Sequence, residues 1–125
     1  MRKFIPCDQE TIFKEMNDLP EDDFIALKHA MGKYAQSGPG EIFPPAAVED
    51  QHKYGAKYKP IFKVRHRNGN YQGRAFFYFG PRRNGIEPMY VLLIYKKEKD
   101  EAPRHLIEAA YQRMLQHKEK LDGLA

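Results

Sequence analysis

Apolar and polar residues alternate along residues 60–67, 71–80 and 88–97, at the two-residue period of a β-strand. Asn68-Gly69 separates the first two segments and predicts a tight hairpin, because both central residues of such a turn need positive φ. The connection at 80–85 is longer and carries two arginines that we expect to be exposed. The pattern predicts three antiparallel strands, to which Phe4-Ile5 adds a fourth, short one.

Three other segments have the three- and four-residue apolar spacing of amphipathic helices. In residues 9–18, Ile12, Phe13 and Met16 are expected on one side, and the helix ends before Pro20. Acidic residues then suit the first turn of a second helix, from Glu21 to the Gly- and Pro-rich stretch at 37–40. Pro103 predicts the start of a final helix that extends to about residue 120. Residues 41–59 have no such spacing and are expected to form a loop.

The order of these elements predicts one α+β domain over residues 1–125. An N-terminal helix hairpin and a C-terminal helix are expected to pack on one face of a three- to four-stranded antiparallel sheet. The single cysteine, Cys7, provides no internal disulfide, and no histidine pair has metal-ligand spacing, so we expect no metal site. The N-terminus lacks the apolar run of a signal peptide, and no segment is long enough to cross a bilayer. A cytoplasmic protein is the expectation.

The charge is divided unevenly along the chain. Residues 1–50 contain five Lys or Arg against ten Asp or Glu, whereas residues 51–99 contain twelve against two. Because Lys63, Arg65 and Arg67 are separated by single residues on one predicted strand, their side chains share one face of the sheet. Like charges gathered in this way favour an anionic partner, and nucleic acid is the polyanion that such a surface fits, with an ordinary solvated surface as the alternative.

Several strings, in their order and spacing, resemble the RelE/HigB group of toxins from bacterial and phage toxin–antitoxin pairs. The resemblance covers nearly the whole chain and is strongest for the phage-derived HigB-like branch. The strings are an apolar first helix that ends in Leu-Pro, two strands with Arg-x-Arg and Gly-Arg-x-x-Phe patterns, and a last strand with a basic pair before Ala-Pro. They correspond to residues 11–20, 61–67, 73–79 and 92–103.

This resemblance implies a RelE-like fold and a metal-free mRNA endoribonuclease, in most such toxins active on the ribosome. A ribose 2′-hydroxyl attacks the adjacent phosphate, and positive groups stabilise the charge that develops on the phosphate oxygens. The implied partners are mRNA, the ribosome and a cognate antitoxin protein, without a small-molecule cofactor or a membrane. Many HigB-like members carry a histidine where this chain has Leu93 or Ile94, so the proton-transfer pair stays unassigned.

The resemblance also implies the roles of individual residues. Arg65 is the candidate for binding the scissile phosphate, although a structural ion pair with Glu41 or Asp50 is the alternative. Arg74 is the candidate for transition-state stabilisation, with an ordinary edge arginine as the alternative. Tyr95 is the candidate for proton donation or base stacking, with core packing as its alternative. The candidates for contact with the RNA backbone are Lys63, Arg67, Arg82, Arg83, Lys96 and Lys97.

His66 is a general base by residue type, but it alternates with Phe62 and Val64 on the presumed core face. We therefore expect a half-buried structural histidine. Two other functions remain open at this point. One is a gyrase-inhibiting toxin of the ParE type, and the other is a basic nucleic-acid-binding protein of phage origin without catalysis.

Overall fold

A computed structural model describes residues 1–37, 45–98 and 104–123. Its elements follow the chain as five strands and three α-helices, with two single-turn 3₁₀ helices before the third strand. Their bounds are β1 Arg2–Pro6, α1 Gln9–Asn17, α2 Glu21–Gln36, β2 Ala46–Asp50, the 3₁₀ turns His52–Tyr54 and Ala56–Tyr58, β3 Ile61–His66, β4 Gly73–Phe79, β5 Glu87–Lys96 and α3 Arg104–Gly123. Pro103, predicted to open the last helix, lies outside the described residues.

The helix hairpin forms as its apolar spacing predicts. In α2, Leu27 and Tyr34 are buried, while the acidic first turn offers negative charge to the positive end of the helix dipole. The helix ends where the Ser37 hydroxyl donates to the Lys33 carbonyl at 2.8 Å. In α1, Ile12 is buried but Phe13 is 52% exposed. The expectation that both lie on one side of the helix was wrong, because adjacent helical residues point about 100° apart.

The strands form one mixed sheet in the order β1-β5-β4-β3-β2. Only β1 pairs in parallel, with β5, and the other three pairings are antiparallel. The predicted antiparallel sheet of three or four strands is therefore corrected to five mixed strands. The missing one, β2, lies within the residues expected to form a loop. Its five residues are too few for a clear alternating pattern, and pairing with β3 stabilises them as an edge strand.

Both faces of the sheet are covered, because successive strand residues contribute to different cores. Phe77 packs with α1 and α2, whereas its neighbour Phe76 packs with Ile107 and Met114 of α3. The helices were expected on one face only, so the arrangement is corrected to a sheet between the hairpin and α3. A bulge in β5 leaves Leu92 as the extra residue, which turns Leu92 and Leu93 toward α3 together.

The tight turn occurs at a different Asn-Gly pair from the one predicted. Neither Asn68 nor Gly69 has positive φ, whereas Asn84 and Gly85 have φ of 53° and 78°. Six residues connect β3 to β4. The Asn68 side chain accepts a hydrogen bond from the Asn70 N–H at 3.0 Å, which shapes this connection as an Asx turn. Among the described helices, none has the length and apolar character needed to span a membrane.

Candidate functional site

The three residues predicted to be catalytic form one row across three adjacent strands. Arg65 on β3 faces Arg74 on β4, and Arg74 faces Tyr95 on β5. Directly opposed residues have Cβ atoms about 5 Å apart, so the row brings two guanidinium groups and a phenol to one end of the sheet. All three lie on the face that α3 also covers, because Tyr95 belongs to the core formed with that helix.

Arg74 is buried, with only 2% of its surface exposed. Its Nη1 donates to the carbonyls of Tyr71 at 2.8 Å and Gly73 at 3.0 Å. Burial, and then the charge of Arg65, lower the pKa of Arg74. The strand β4 is the middle strand of the five, so its side chains are enclosed on both faces. Arg74, the candidate for transition-state stabilisation, is therefore a buried cation beneath the surface and does not line a pocket open to water.

Arg65 lies half-buried beside it. Its Nη1 donates to the backbone carbonyls of His66 at 2.9 Å and Arg67 at 3.1 Å. In the described part of the chain, neither Arg65 nor Arg74 forms an ion pair with a carboxylate. The alternative partner Asp50 faces Phe62 in the register and so belongs to the opposite face of the sheet. The other alternative, Glu41, lies outside the described residues.

A carboxylate that the sequence had not indicated also belongs to this face. Glu49 on β2 faces Lys63 on β3, and their side chains form an ion pair at 2.9 Å. The hydrogen bond from Lys63 lowers the pKa of Glu49 against the opposing effect of burial. The charges of Lys63, Lys53 and Arg65 lower it further. We refer to Lys53, Lys63, Arg65, Arg74 and Glu49 as the cationic cluster, since it combines four cations with one carboxylate.

Tyr95 closes the row beside Arg74. It is 8% exposed, and its ring stacks on Phe76 with centroids 5.2 Å apart. Burial raises the pKa of Tyr95 to about 12, although the charge of Arg74 opposes this shift. The phenol is therefore neutral at physiological pH and is a proton donor rather than a proton acceptor.

The remaining predicted cations are divided between the two ends of the sheet. Arg67 lies just past β3, where it is exposed and donates to the Ala46 carbonyl at 3.0 Å. Lys96 and Lys97 are near the same end of the sheet. Lys96 follows Tyr95 along β5, so its side chain belongs to the face that α1 and α2 cover. The far end of β4, at Phe79, is about 17 Å from Arg74 at 3.3 Å per residue, and Arg82 and Arg83 lie beyond that end. The six cations predicted to contact the RNA backbone therefore do not lie on one surface.

His66 occupies the structural position that its alternation predicts. Its Nδ1 accepts a hydrogen bond from the Asn68 backbone N–H at 3.0 Å, and its ring contacts Tyr71 edge-on at 5.0 Å. Burial lowers the pKa of His66, and the charges of His29 and Arg65 add to this effect. The residue holds the β3–β4 connection and lies on the face opposite to the row.

Comparisons with known proteins gave no match, either to a protein-family model or to a curated protein. The chemistry of the cationic cluster therefore carries the functional inference.

Proposed function

We propose that this protein is a metal-independent mRNA endoribonuclease, a toxin of the RelE/HigB type, that cleaves RNA at the cationic cluster. The observation that carries the proposal is the pair of cross-strand arginines, Arg65 and Arg74, without a carboxylate partner among the described residues. Two adjacent like charges repel each other, and an anion placed over them relieves that repulsion. A phosphodiester fits this requirement because its charge increases in the transition state.

Each residue of the site has a role in this proposal. Arg65, which is half-buried, binds the non-bridging phosphate oxygens directly. Arg74 acts from beneath, since a buried charge acts through a low dielectric and is weakly screened by water. The positive potential therefore lies where negative charge develops on the phosphate, and it needs no bound metal.

The chemical step transfers two protons. The 2′-oxygen bonds to phosphorus as its proton passes to Glu49, whose Oε1 is already paired with Lys63 and whose Oε2 is the acceptor. The bond from phosphorus to the 5′-oxygen breaks, and Tyr95 donates its proton to that oxygen. The products are a 2′,3′-cyclic phosphate and a 5′-hydroxyl, and proton exchange with water restores both side chains.

Three further expectations accompany this function. Arg67 lies at the same sheet end as the row and is exposed, so it contacts the RNA backbone beside the scissile phosphate. The RNA is mRNA held on the ribosome, which restrains the nucleotide for in-line attack. A cognate antitoxin protein binds this toxin and silences it in the cytoplasm.

A second candidate is RNA binding without cleavage, and the Glu49–Lys63 ion pair favours it. Lys63 lowers the pKa of Glu49, and a weaker base accepts the 2′-hydroxyl proton less readily. The cluster then retains its affinity for phosphate but lacks an efficient proton acceptor.

A gyrase-inhibiting toxin is a separate alternative that purified gyrase tests directly in a supercoiling assay.

The test is tightly regulated expression in bacteria, with growth and transcript ends as the readouts. We expect growth arrest and new 5′-hydroxyl ends within messages. Arg65→Ala should lower cleavage about 100-fold while the protein stays folded. Lys28→Ala, which removes an exposed charge from α2, is the matched control and should cleave normally. Growth without cleaved transcripts would contradict the nuclease, and RNA binding by that inactive protein would favour the second candidate.

A further inference from the structure

A second cleft lies at the opposite end of β4 from the cationic cluster. The end of β4, the connection to β5 and the last turns of α3 enclose a volume of about 350 Å³. This is in the range of small-molecule sites in proteins. The residues that matter to its chemistry are Tyr78, Tyr90, Leu121, Arg83, Lys118 and Asp122.

One wall of this cleft is aromatic and held in place. The rings of Tyr78 and Tyr90 lie 5.3 Å apart between centroids, and the His117 ring contacts Tyr90 at 4.4 Å. The Tyr78 hydroxyl shares a hydrogen bond of 2.6 Å with Nδ1 of His117. Any side chain at Gly80 would overlap the Tyr90 ring, so glycine there lets the ring lie against the end of β4. Such a fixed aromatic surface suits the stacking of a nucleobase.

Two cations flank the aromatic wall. Arg83 is exposed, and two backbone hydrogen bonds of 2.9 Å to Ile86 close the Asn84-Gly85 turn that presents it. Lys118 places its Nζ 5.5 Å from the centroid of the Tyr78 ring. Neither cation forms an ion pair within residues 1–37, 45–98 and 104–123. Both are therefore available to a phosphate group.

We propose that this cleft binds a nucleoside monophosphate, with the base on Tyr90 and the phosphate between Arg83 and Lys118. Asp122 accepts hydrogen bonds from N–H groups of the base. Guanine presents two adjacent N–H donors to a carboxylate and adenine presents only its amino group, so GMP is the preferred probe. The nucleotide is either free in solution or a unit of an RNA chain. This site does not depend on RNA cleavage, because its residues are separate from the row at Arg65.

The experiment is an NMR titration of the full-length, ¹⁵N-labelled protein with GMP. Backbone amides of the cleft residues should shift, and the double variant Arg83→Ala with Lys118→Ala should bind GMP about tenfold more weakly or worse. Arg82→Ala is the matched control, because Arg82 is the neighbouring arginine but reaches Glu87 at 3.9 Å instead. It should bind GMP as the unmodified protein does, and the unperturbed amide spectra show that each variant is folded.

Further ligands separate the contribution of the base from that of the phosphate, and free nucleotide from RNA as the natural ligand. Guanosine and ribose 5-phosphate should each bind far more weakly than GMP, since each lacks one half of the recognised group. A guanine trinucleotide that binds more tightly than GMP identifies RNA as the source, and equal affinity identifies the free nucleotide. Absence of shifts at millimolar GMP, or ribose 5-phosphate binding as tightly as GMP, overturns the proposal. Neither result bears on cleavage at the cationic cluster.

Discussion

Asp23 and Gln72 connect the start of α2 to the loop before β4, since Oδ1 of Asp23 accepts a 2.7 Å hydrogen bond from the Gln72 backbone N–H. The carbonyl of Gln72 in turn accepts a 2.8 Å bond from the Lys97 N–H beyond β5. The preceding carbonyl, that of Tyr71, is a hydrogen-bond partner of Arg74. The acidic helix hairpin thereby positions the backbone on which the buried cation rests.

Asp23→Ala should lower the free energy of unfolding by about 1–3 kcal/mol, because it leaves the Gln72 N–H without its partner. Asp22→Ala is the control, since Asp22 is exposed on the same helical turn and has the same relation to the helix dipole. Urea unfolding of both variants measures the difference. Equal losses would mean that the dipole, rather than the hydrogen bond, is the main contribution of Asp23.

The two Asn-Gly pairs should respond in opposite ways to the same substitution. Gly85→Ala should cost about 1–2 kcal/mol, because φ is 78° there and a Cβ disfavours that conformation. Gly69→Ala should be neutral or stabilise by up to about 1 kcal/mol, because nothing lies within 4 Å of the added Cβ and φ is not positive. Thermal unfolding compares the two directly. A loss at Gly69 as large as that at Gly85 would place a left-handed residue in the β3–β4 connection.

Cleavage should depend little on pH from mildly acid to mildly alkaline conditions. The pKa of Tyr95 is raised to about 12 by burial, so the donor stays protonated. The hydrogen bond from Lys63 lowers the pKa of Glu49 from its ordinary value and so keeps the acceptor ionised. Single-turnover rates on ribosomes that carry a short mRNA provide the pH profile. Tyr95→Phe should lower the rate about 100-fold or more. Full activity of that variant would remove Tyr95 from the proton transfer, and a rate limb near neutral pH would indicate a different base.

The ion pair between Glu15 and Arg113 should show strong energetic coupling. Arg113 Nη1 contacts the Glu15 carboxylate at 2.9 Å and also donates to the carbonyl of Leu92, the extra residue of the bulge. The pair joins α1 to α3 past the end of β1, and both side chains are less than a third exposed. A double-mutant cycle with alanine should give a coupling free energy of about 0.5–3 kcal/mol.

The exposed pair Lys57 and Glu108 is the control for that cycle. Water and salt screen its charges, so its coupling should be smaller and should fall further at high ionic strength. Coupling of Glu15 with Arg113 that is no larger than this control would mean that α1 and α3 are held by apolar packing alone.

Local spacing was sufficient for most elements of this fold. The apolar stripe of α2, with Leu27 and Tyr34 buried, follows from a period that belongs to the helix itself. The alternation in β3 likewise predicts that Arg65 lies on the face opposite to Phe62 and His66, whichever strands pair with β3. These predictions were confirmed because each depends on residues only a few positions apart along the chain.

Contacts between distant segments decided the rest. Pairing with β3 makes residues 46–50 a strand and so brings Glu49 to the site. Five residues carry too weak an alternating pattern for the sequence to predict that strand. Two identical Asn-Gly pairs adopted different turns, because the strands that flank each pair set the length of its connection. Burial of Arg74 followed from the central place of β4 between two layers of helices. The strand period alone determines which face of the sheet a side chain lies on. The register between strands and the layers of helices are set by tertiary packing, and they decide the neighbours of that side chain and its exposure to water.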